Sequence, residues 1–209
     1  MNDYDPPTGP IPILLKDKDL LAVEKPPGLL SVPGKGPSLA DCLLTRLKAT
    51  HPGTLLVHRL DRDTSGVMVF AMNPAAQRHL GLQFEKRIIE KRYIARVAGR
   101  IGERGRFDWP LRADWPNRPR QMVAPDGKPA VTDWERLSTT DTESRVALKP
   151  LTGRSHQLRV HLAQAGHSIL GDPLYDGPPA ERLMLHAEAL RLRHPDGGAW
   201  IEVRSDPPF

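Results

Sequence analysis

Cysteine is almost missing from this 209-residue chain, in which Cys42 is the one thiol. No disulfide framework and no cysteine-based zinc site can be built from it. Long apolar runs are missing too. The longest, Val67 to Met72, falls far short of the roughly 20 residues that span a bilayer. There is no internal repeat and no low-complexity stretch. The N-terminus, Met1-Asn2-Asp3-Tyr4-Asp5-Pro6-Pro7, is acidic and proline-bearing, unlike a signal or transit peptide. These absences point to a cytosolic protein with no membrane partner, and to Cys42 as an inert thiol on the buried side of a helix.

What is present is a folded chain with an uneven charge. Hydrophobic residues make up 39% and charged residues 26%, as in globular proteins, and the length suits one sizeable domain or two small ones. Net charge is +5, yet from Lys86 to Arg120 eleven Lys or Arg face four acids, a local +7 that leaves −2 for the remainder. Positive charge gathered in one segment suits a surface that tracks a phosphate backbone. A solvated face with no partner is the plain alternative. Phe107, Trp109 and Trp115 among these arginines favour nucleic acid, since aromatics stack on unpaired bases.

Patterning predicts an α+β fold. Residues 1–19 read as an arm. A strand over Leu20–Lys25 stops at Pro26-Pro27-Gly28. Ser38 is the expected cap of a helix reaching about Thr50, with Asp41 in a weak capping-box relation. Val67–Ala71 reads as a strand, and Asn73-Pro74 as the start of a helix ending near Glu85 with Leu80 and Phe84 inward. Further strands are expected over Glu90–Val97, Val131–Leu137 and Arg145–Lys149, with short hairpins between 98 and 129. A helix from about Ser155 to Ala165 closes at Gly166, and Asp196-Gly197-Gly198 marks a last hairpin. Strands outnumber helices and most are joined by short turns, so the sheet should be mainly antiparallel.

The most informative stretch is His58-Arg59-Leu60-Asp61-Arg62-Asp63-Thr64-Ser65-Gly66. It sets an aspartate between two arginines at the mouth of a strand. Positive charge beside a carboxylate favours the ionised form, and an ionised carboxylate can serve as nucleophile or general base. Two other segments compare with it: Lys91-Arg92-Tyr93, and a Gly turn opening a helix, Thr152-Gly153-Arg154-Ser155-His156-Gln157-Leu158-Arg159-Val160-His161. An arginine on a rigid helix can hold a carboxylate in a bidentate pair. Singly, each piece has a plain reading: a surface ion-pair cluster, a half-buried strand tyrosine, histidines on a helix surface.

Together the segments resemble the pseudouridine synthases of the RluA family. The resemblance runs through Glu24-Lys25-Pro26-Pro27-Gly28-Leu29, the three segments above and Gly171-Asp172-Pro173-Leu174-Tyr175, in the family's order and over about residues 20–190. It implies a pseudouridine synthase fold, a mainly antiparallel mixed sheet with flanking helices and a central RNA-binding cleft. One catalytic domain is expected over 20–209; many relatives carry an S4-type RNA-binding domain ahead of it, and the arm here is a departure from them that leaves recognition to the catalytic domain. The isomerisation requires no metal or other cofactor, and a monomer is the default expectation. Asp61 matches the catalytic aspartate and Arg59 the arginine that fills the gap left by the target nucleotide. Tyr93 matches the tyrosine that stacks on the flipped base, and Arg159 the arginine that pairs with the aspartate. His58, Thr64, Lys91, Arg154 and His156 are expected at the substrate. Asp114-Trp115-Pro116-Asn117-Arg118-Pro119 resembles the branch that modifies tRNA and 23S rRNA, which implies a uridine at anticodon-loop position 32 and one at 23S position 746. Asp176, between Tyr175 and Gly177 where relatives often have Tyr-Gly, is a departure.

The chemistry breaks the N1–C1′ bond of uridine, turns the uracil, and forms a C5–C1′ bond with no group added or lost. Asp61 can attack C6 of the base or assist cleavage at the sugar, and sequence leaves both routes open. Extruding a stacked nucleotide costs a few kcal/mol. Stacking returns about 1–3 kcal/mol per base. Three rival readings fit less well or predict a different outcome. A serine hydrolase on Ser155-His156 or Ser65 lacks a Gly-x-Ser-x-Gly elbow. A metal enzyme lacks His-Glu-x-x-His, and His156 and His161 lie five apart rather than at i, i+4. A non-catalytic RNA-binding module fits the charge equally well but makes Asp61 dispensable.

Overall fold

Alternating and apolar runs become strands, and the computed structural model describes residues 4–209 of the chain. Met1 to Asp3, part of the expected arm, lie outside the described residues. The chain divides into two compact units. One runs to Glu90 and resumes over Ala187–Pro208; the other is Lys91–His186 with Phe209.

In the first unit β1 (Ile13–Lys16) pairs antiparallel with β2 (Leu20–Lys25), and β2 with β4 (Ser65–Ala71). Part of the expected arm is therefore a strand of the sheet. The short β3 (Leu55–Leu56) also lies along β4. β11 (Leu185–Arg193) forms a hairpin with β12 (Trp200–Arg204), with Arg193 opposite Trp200. Every residue of β4 is buried, which explains its unbroken apolar run.

Helix α2 (Pro74–Glu85) begins as Asn73-Pro74 predicts: the Asn73 side chain accepts from the Ala76 N–H at 2.9 Å, and proline occupies the first turn. Leu80 is buried against β2 and β4, with Phe84 packed beside it. Helix α1 starts later than expected, at Leu43–Thr50. Ser38 sits instead in a 3-10 turn, Pro37–Leu39. Cys42 caps α1, its Sγ accepting from the Thr45 N–H at 3.4 Å, and it is fully buried. Asp41 does not close a capping box; it grips Arg46 bidentately at 2.8 and 2.6 Å.

In the second unit β10 (Glu143–Pro150) pairs antiparallel with both β5 (Glu90–Ala98) and β9 (Val131–Thr139), and β9 with β6 (Arg104–Asp108). A small hairpin joins β7 (Leu111–Ala113) to β8 (Gln121–Val123). Helix α3 (Gln157–Gln164) buries Leu158 and Leu162 in the core formed with β5 and β10, and Gly166 at φ +81° ends it. The class is α+β, mostly antiparallel, with three α-helices among the described residues. Among the described residues no helix is long and apolar enough to cross a membrane.

Candidate active site

Asp61 lies half-buried in the loop between β3 and β4, and the backbone on each side of it is held by a buried polar side chain. Ser31 takes the residue before: its hydroxyl donates to the Leu60 carbonyl at 2.7 Å and accepts from the Leu60 N–H at 3.1 Å. Lys25 takes the residue after. Its Nζ donates to the carbonyls of Pro26, Leu29 and Arg62 at 2.8, 2.6 and 2.7 Å, while its side chain is fully buried. An ammonium has three hydrogens, and three carbonyls take them. Burying such a charge is tolerable only when it is so satisfied. Lys25 thereby ties the Pro26-Pro27-Gly28 turn to the aspartate loop.

Thr64 and Ser65 are buried where the loop enters β4. Gly66 follows at φ +110°, where a Cβ would run into the Ala187 carbonyl oxygen, so only glycine fits. His58 has a backbone role: its Nε2 accepts from the Val69 N–H at 3.0 Å and its ring stacks on Phe84 with centroids 4.6 Å apart. Arg59 is exposed. Arg62 lays its guanidinium on Asp63, at 2.8 and 3.0 Å.

The second unit places the other candidates. Tyr93 stands on β5 opposite Leu148, partly buried against the core. Lys91 donates to the Thr152 carbonyl at 2.9 Å and so anchors the turn before α3. Gln157 secures the same turn with all four of its bonds: its Oε1 accepts from Thr152 Oγ1 and Arg154 N, and its Nε2 donates to Val131 O and Thr132 Oγ1. Arg154 donates to the Pro129 carbonyl at 3.0 Å. His156 opens α3 in the left-handed region, φ 54°, its Nδ1 2.8 Å from the Tyr175 hydroxyl. His161 is no surface residue: it is fully buried between Thr132 Oγ1 and the Trp109 carbonyl, and burial lowers its pKa below the usual 6.5.

Arg159 has a partner that sequence did not indicate. Its Nε and Nη2 each donate to Asp172 at 2.7 Å, in a pair with 2% and 0% of its side chains exposed. Asp172 Oδ1 also accepts from the N–H groups of Leu174 and Tyr175 at 2.9 and 3.2 Å. The Tyr175 ring carries the Arg159 guanidinium at 5.2 Å and that of Arg120 at 5.3 Å, and its hydroxyl accepts from the Gln121 N–H at 2.8 Å. Gly171, φ +73°, has no room for a Cβ against the Arg182 carbonyl. The turn 171–177 thus cradles the Arg159 guanidinium and also faces that of Arg120.

Ser31 is thus the residue that sequence reasoning passed over, while Lys25, Asp172 and Tyr175 stood in the family motifs without a role. Lys25 carried one usable sign, a charge ending the apolar run Leu20-Leu21-Ala22-Val23 beside a turn whose carbonyls need donors. The basic segment also differs from expectation. Phe107 is buried and Trp109 stacks on it at 5.1 Å, so both are core residues and only Trp115, 64% exposed, is open to stacking. Carboxylates outside the segment fold onto its arginines: Arg96 meets Glu143, Arg106 meets Asp133 and Arg112 meets Asp126, at 2.8, 2.6 and 3.2 Å. Among the described residues no three His, Cys, Asp or Glu side chains gather as a metal site.

Comparison with known proteins settles the class. A family model described as RNA pseudouridylate synthase matches residues 19–164. The chain is 48% identical to the dual-specificity RNA pseudouridine synthase RluA of Escherichia coli K12, over 100% of this chain and 99% of that one. Its counterpart in Pasteurella multocida is 44% identical over 99% and 98%. Among solved structures, human RNA pseudouridylate synthase domain containing 1 has a TM-score of 0.79 at 32% identity, covering 96% of this chain and 84% of that one. Human domain containing 4 has 0.76 at 28%, covering 94% and 88%. The chain belongs to the RluA family of RNA pseudouridine synthases, isomerases that convert uridine to pseudouridine in RNA.

Proposed function

We propose that this enzyme has dual specificity, isomerising one uridine in a tRNA anticodon loop and one in 23S rRNA, with Asp61 as its catalytic carboxylate. The observation that carries the reading is full-length identity of 48% to synthases named for that dual specificity. The pinned backbone at Leu60 and Arg62 supports a role in which the Asp61 carboxylate must be held in place. Tyr93 is the stacking residue for the extruded uracil, Arg59 fills the space it leaves, and Arg159 is the cationic partner of the chemistry. N1–C1′ breaks, the uracil turns, C5–C1′ forms, and the proton lost from C5 is balanced by one gained at N1. The chain from β1 onward acts as one catalytic domain, monomeric and cytosolic.

The test is to map pseudouridine in tRNA and 23S rRNA from cells lacking the protein, then restore wild type or Asp61→Asn. Wild type should return both modifications. Asp61→Asn should return neither, while the purified variant binds an anticodon stem-loop within a few-fold of wild type. Turnover like wild type in that variant would refute the assignment.

A further inference from the structure

Between the β7–β8 hairpin and α3 lies a groove of about 310 Å3 that none of the roles above uses. Its lining is mixed and more polar than apolar: Tyr175 and Val160 are buried, Met122 and Ala163 stand beside them, and Gln121, Gln164 and Ser168 add amides and a hydroxyl. Its rim is polar and of mixed sign, with Asp114 and Asp176 as acceptors and Arg120 as donor. A groove with a small apolar part and several hydrogen-bonding groups suits a polar heterocycle.

The rim is firmly built. The Asp114 N–H bonds to the Arg120 carbonyl at 3.0 Å, and Asp114 Oδ2 accepts from Asn117 Nδ2 at 3.0 Å, closing the loop between the strands. The Gln121 N–H to Tyr175 hydroxyl bond fastens that loop to the floor. Asp176 is held at φ 54°, in the left-handed region that aspartate enters more readily than most residues. Its carboxylate stays 89% exposed and only 3.9 Å from Arg120 Nη2, too loose to saturate either group. On the same loop Trp115 lies open, with the Arg118 guanidinium 3.3 Å above its ring.

We infer that this groove is a second nucleobase subsite, taking an unpaired base with an exocyclic amine from the same RNA. The inference rests on the reading of the chain as an RNA-modifying enzyme. Two carboxylates at the rim repel a phosphate, and Arg120 between them opposes a free cation. An amine edge fits: carboxylates accept from amino groups of bases, while guanidinium and amide donors meet ring nitrogens and carbonyls. Uracil fits poorly, because its one edge N–H lies between two carbonyl oxygens that a carboxylate repels. The groove therefore selects a neighbour of the target rather than the target. Trp115 and Arg118 supply a stacking platform beside it.

The experiment uses the full chain and anticodon stem-loop RNAs in which each loop base except the target is replaced in turn by uridine. Equilibrium binding and single-turnover rates are both measured. At one position, replacement of an amine-bearing base should raise Kd and KM about tenfold with kcat unchanged. Asp176→Gly, which suits the positive φ and keeps the fold, should abolish that discrimination. Ala163→Met, which fills the groove, should weaken binding of the unsubstituted RNA by a similar factor. Both variants should melt with wild type. If they bind and discriminate within twofold of wild type, or lose kcat instead of affinity, the inference is overturned. A wild type that discriminates in binding yet makes no pseudouridine refutes the proposed function and leaves this subsite standing.

Discussion

Asp61 and Arg159 are held by opposite means. Around Asp61 the protein clamps backbone: Ser31 and Lys25 bind the peptide groups of Leu60 and Arg62. Around Arg159 it clamps the functional group itself, with Asp172 taking one edge of the guanidinium and the Tyr175 ring carrying its face. The first device fixes a position without touching the carboxylate's charge. The second fixes an orientation by neutralising the charge it orients. The Arg159 plane is set by Asp172, and the proposed role of this arginine in the chemistry would be played from that fixed orientation.

The largest effect expected from this contrast is at Asp172. Removing one member of a buried ion pair typically costs about 3–5 kcal/mol, whereas replacing both by apolar groups is often close to neutral. Asp172→Ala should therefore lose stability in that range in urea unfolding. The double variant Asp172→Ala, Arg159→Met should recover most of it while remaining inactive. A single-variant loss under about 1 kcal/mol would mean that the cradle does not depend on the pair.

Such pairings explain which parts of the molecule could be read from sequence. Local rules sufficed where partners are near: Asn73-Pro74 gave both ends of a cap, and alternating runs gave β5, β9 and β10. They failed at α1, because a Cys42 thiol is a weak acceptor with no signature as a cap, while Ser38 is drawn into a 3-10 turn. The family motifs contained Asp61, Arg159 and Asp172 alike, but nothing local to the chain showed that Asp172 and Arg159 pair. The basic segment misled for the same reason. Its charge is concentrated in sequence, yet Asp126, Asp133 and Glu143 are brought to it in space. Period-two alternation offered a correction for the aromatics: Phe107 and Trp109 share a face opposite Arg106 and Asp108, the inward face of β6.

A smaller effect separates the two devices by kinetics. Ser31→Ala removes two hydrogen bonds from the Leu60 peptide, worth about 1–3 kcal/mol together. Because the clamp acts on position, kcat should fall severalfold while the Kd for RNA stays unchanged. Ser31→Thr, which keeps the hydroxyl, should restore part of the rate. Equal losses in kcat and RNA affinity would show that Ser31 shapes the binding surface rather than the placement of Asp61.

The smallest effect distinguishes the units by pH. In the second unit His161 is neutral because burial lowers its pKa, despite its bond to the Trp109 carbonyl. The unfolded chain takes up a proton there as pH falls through the ordinary value near 6.5, while the folded chain does not. Its contribution is thus complete above that value and is lost below it, with a slope of at most about 1.4 kcal/mol per pH unit. In the first unit the sign reverses. Burial alone would lower the pKa of His194, but its hydrogen bond to Asp17 at 2.8 Å, its bond to the Asp196 carbonyl and the nearby negative charge of Asp17 and Asp19 together raise it. That contact is strongest below 6.5 and fades as pH rises through the raised value. Acidification from pH 7 to 5.5 should therefore lower hydrogen-exchange protection in β9 and α3 but not in the β11–β12 hairpin. His161→Gln should flatten the first response, and equal loss in both places would show that neither histidine sets the local pH dependence.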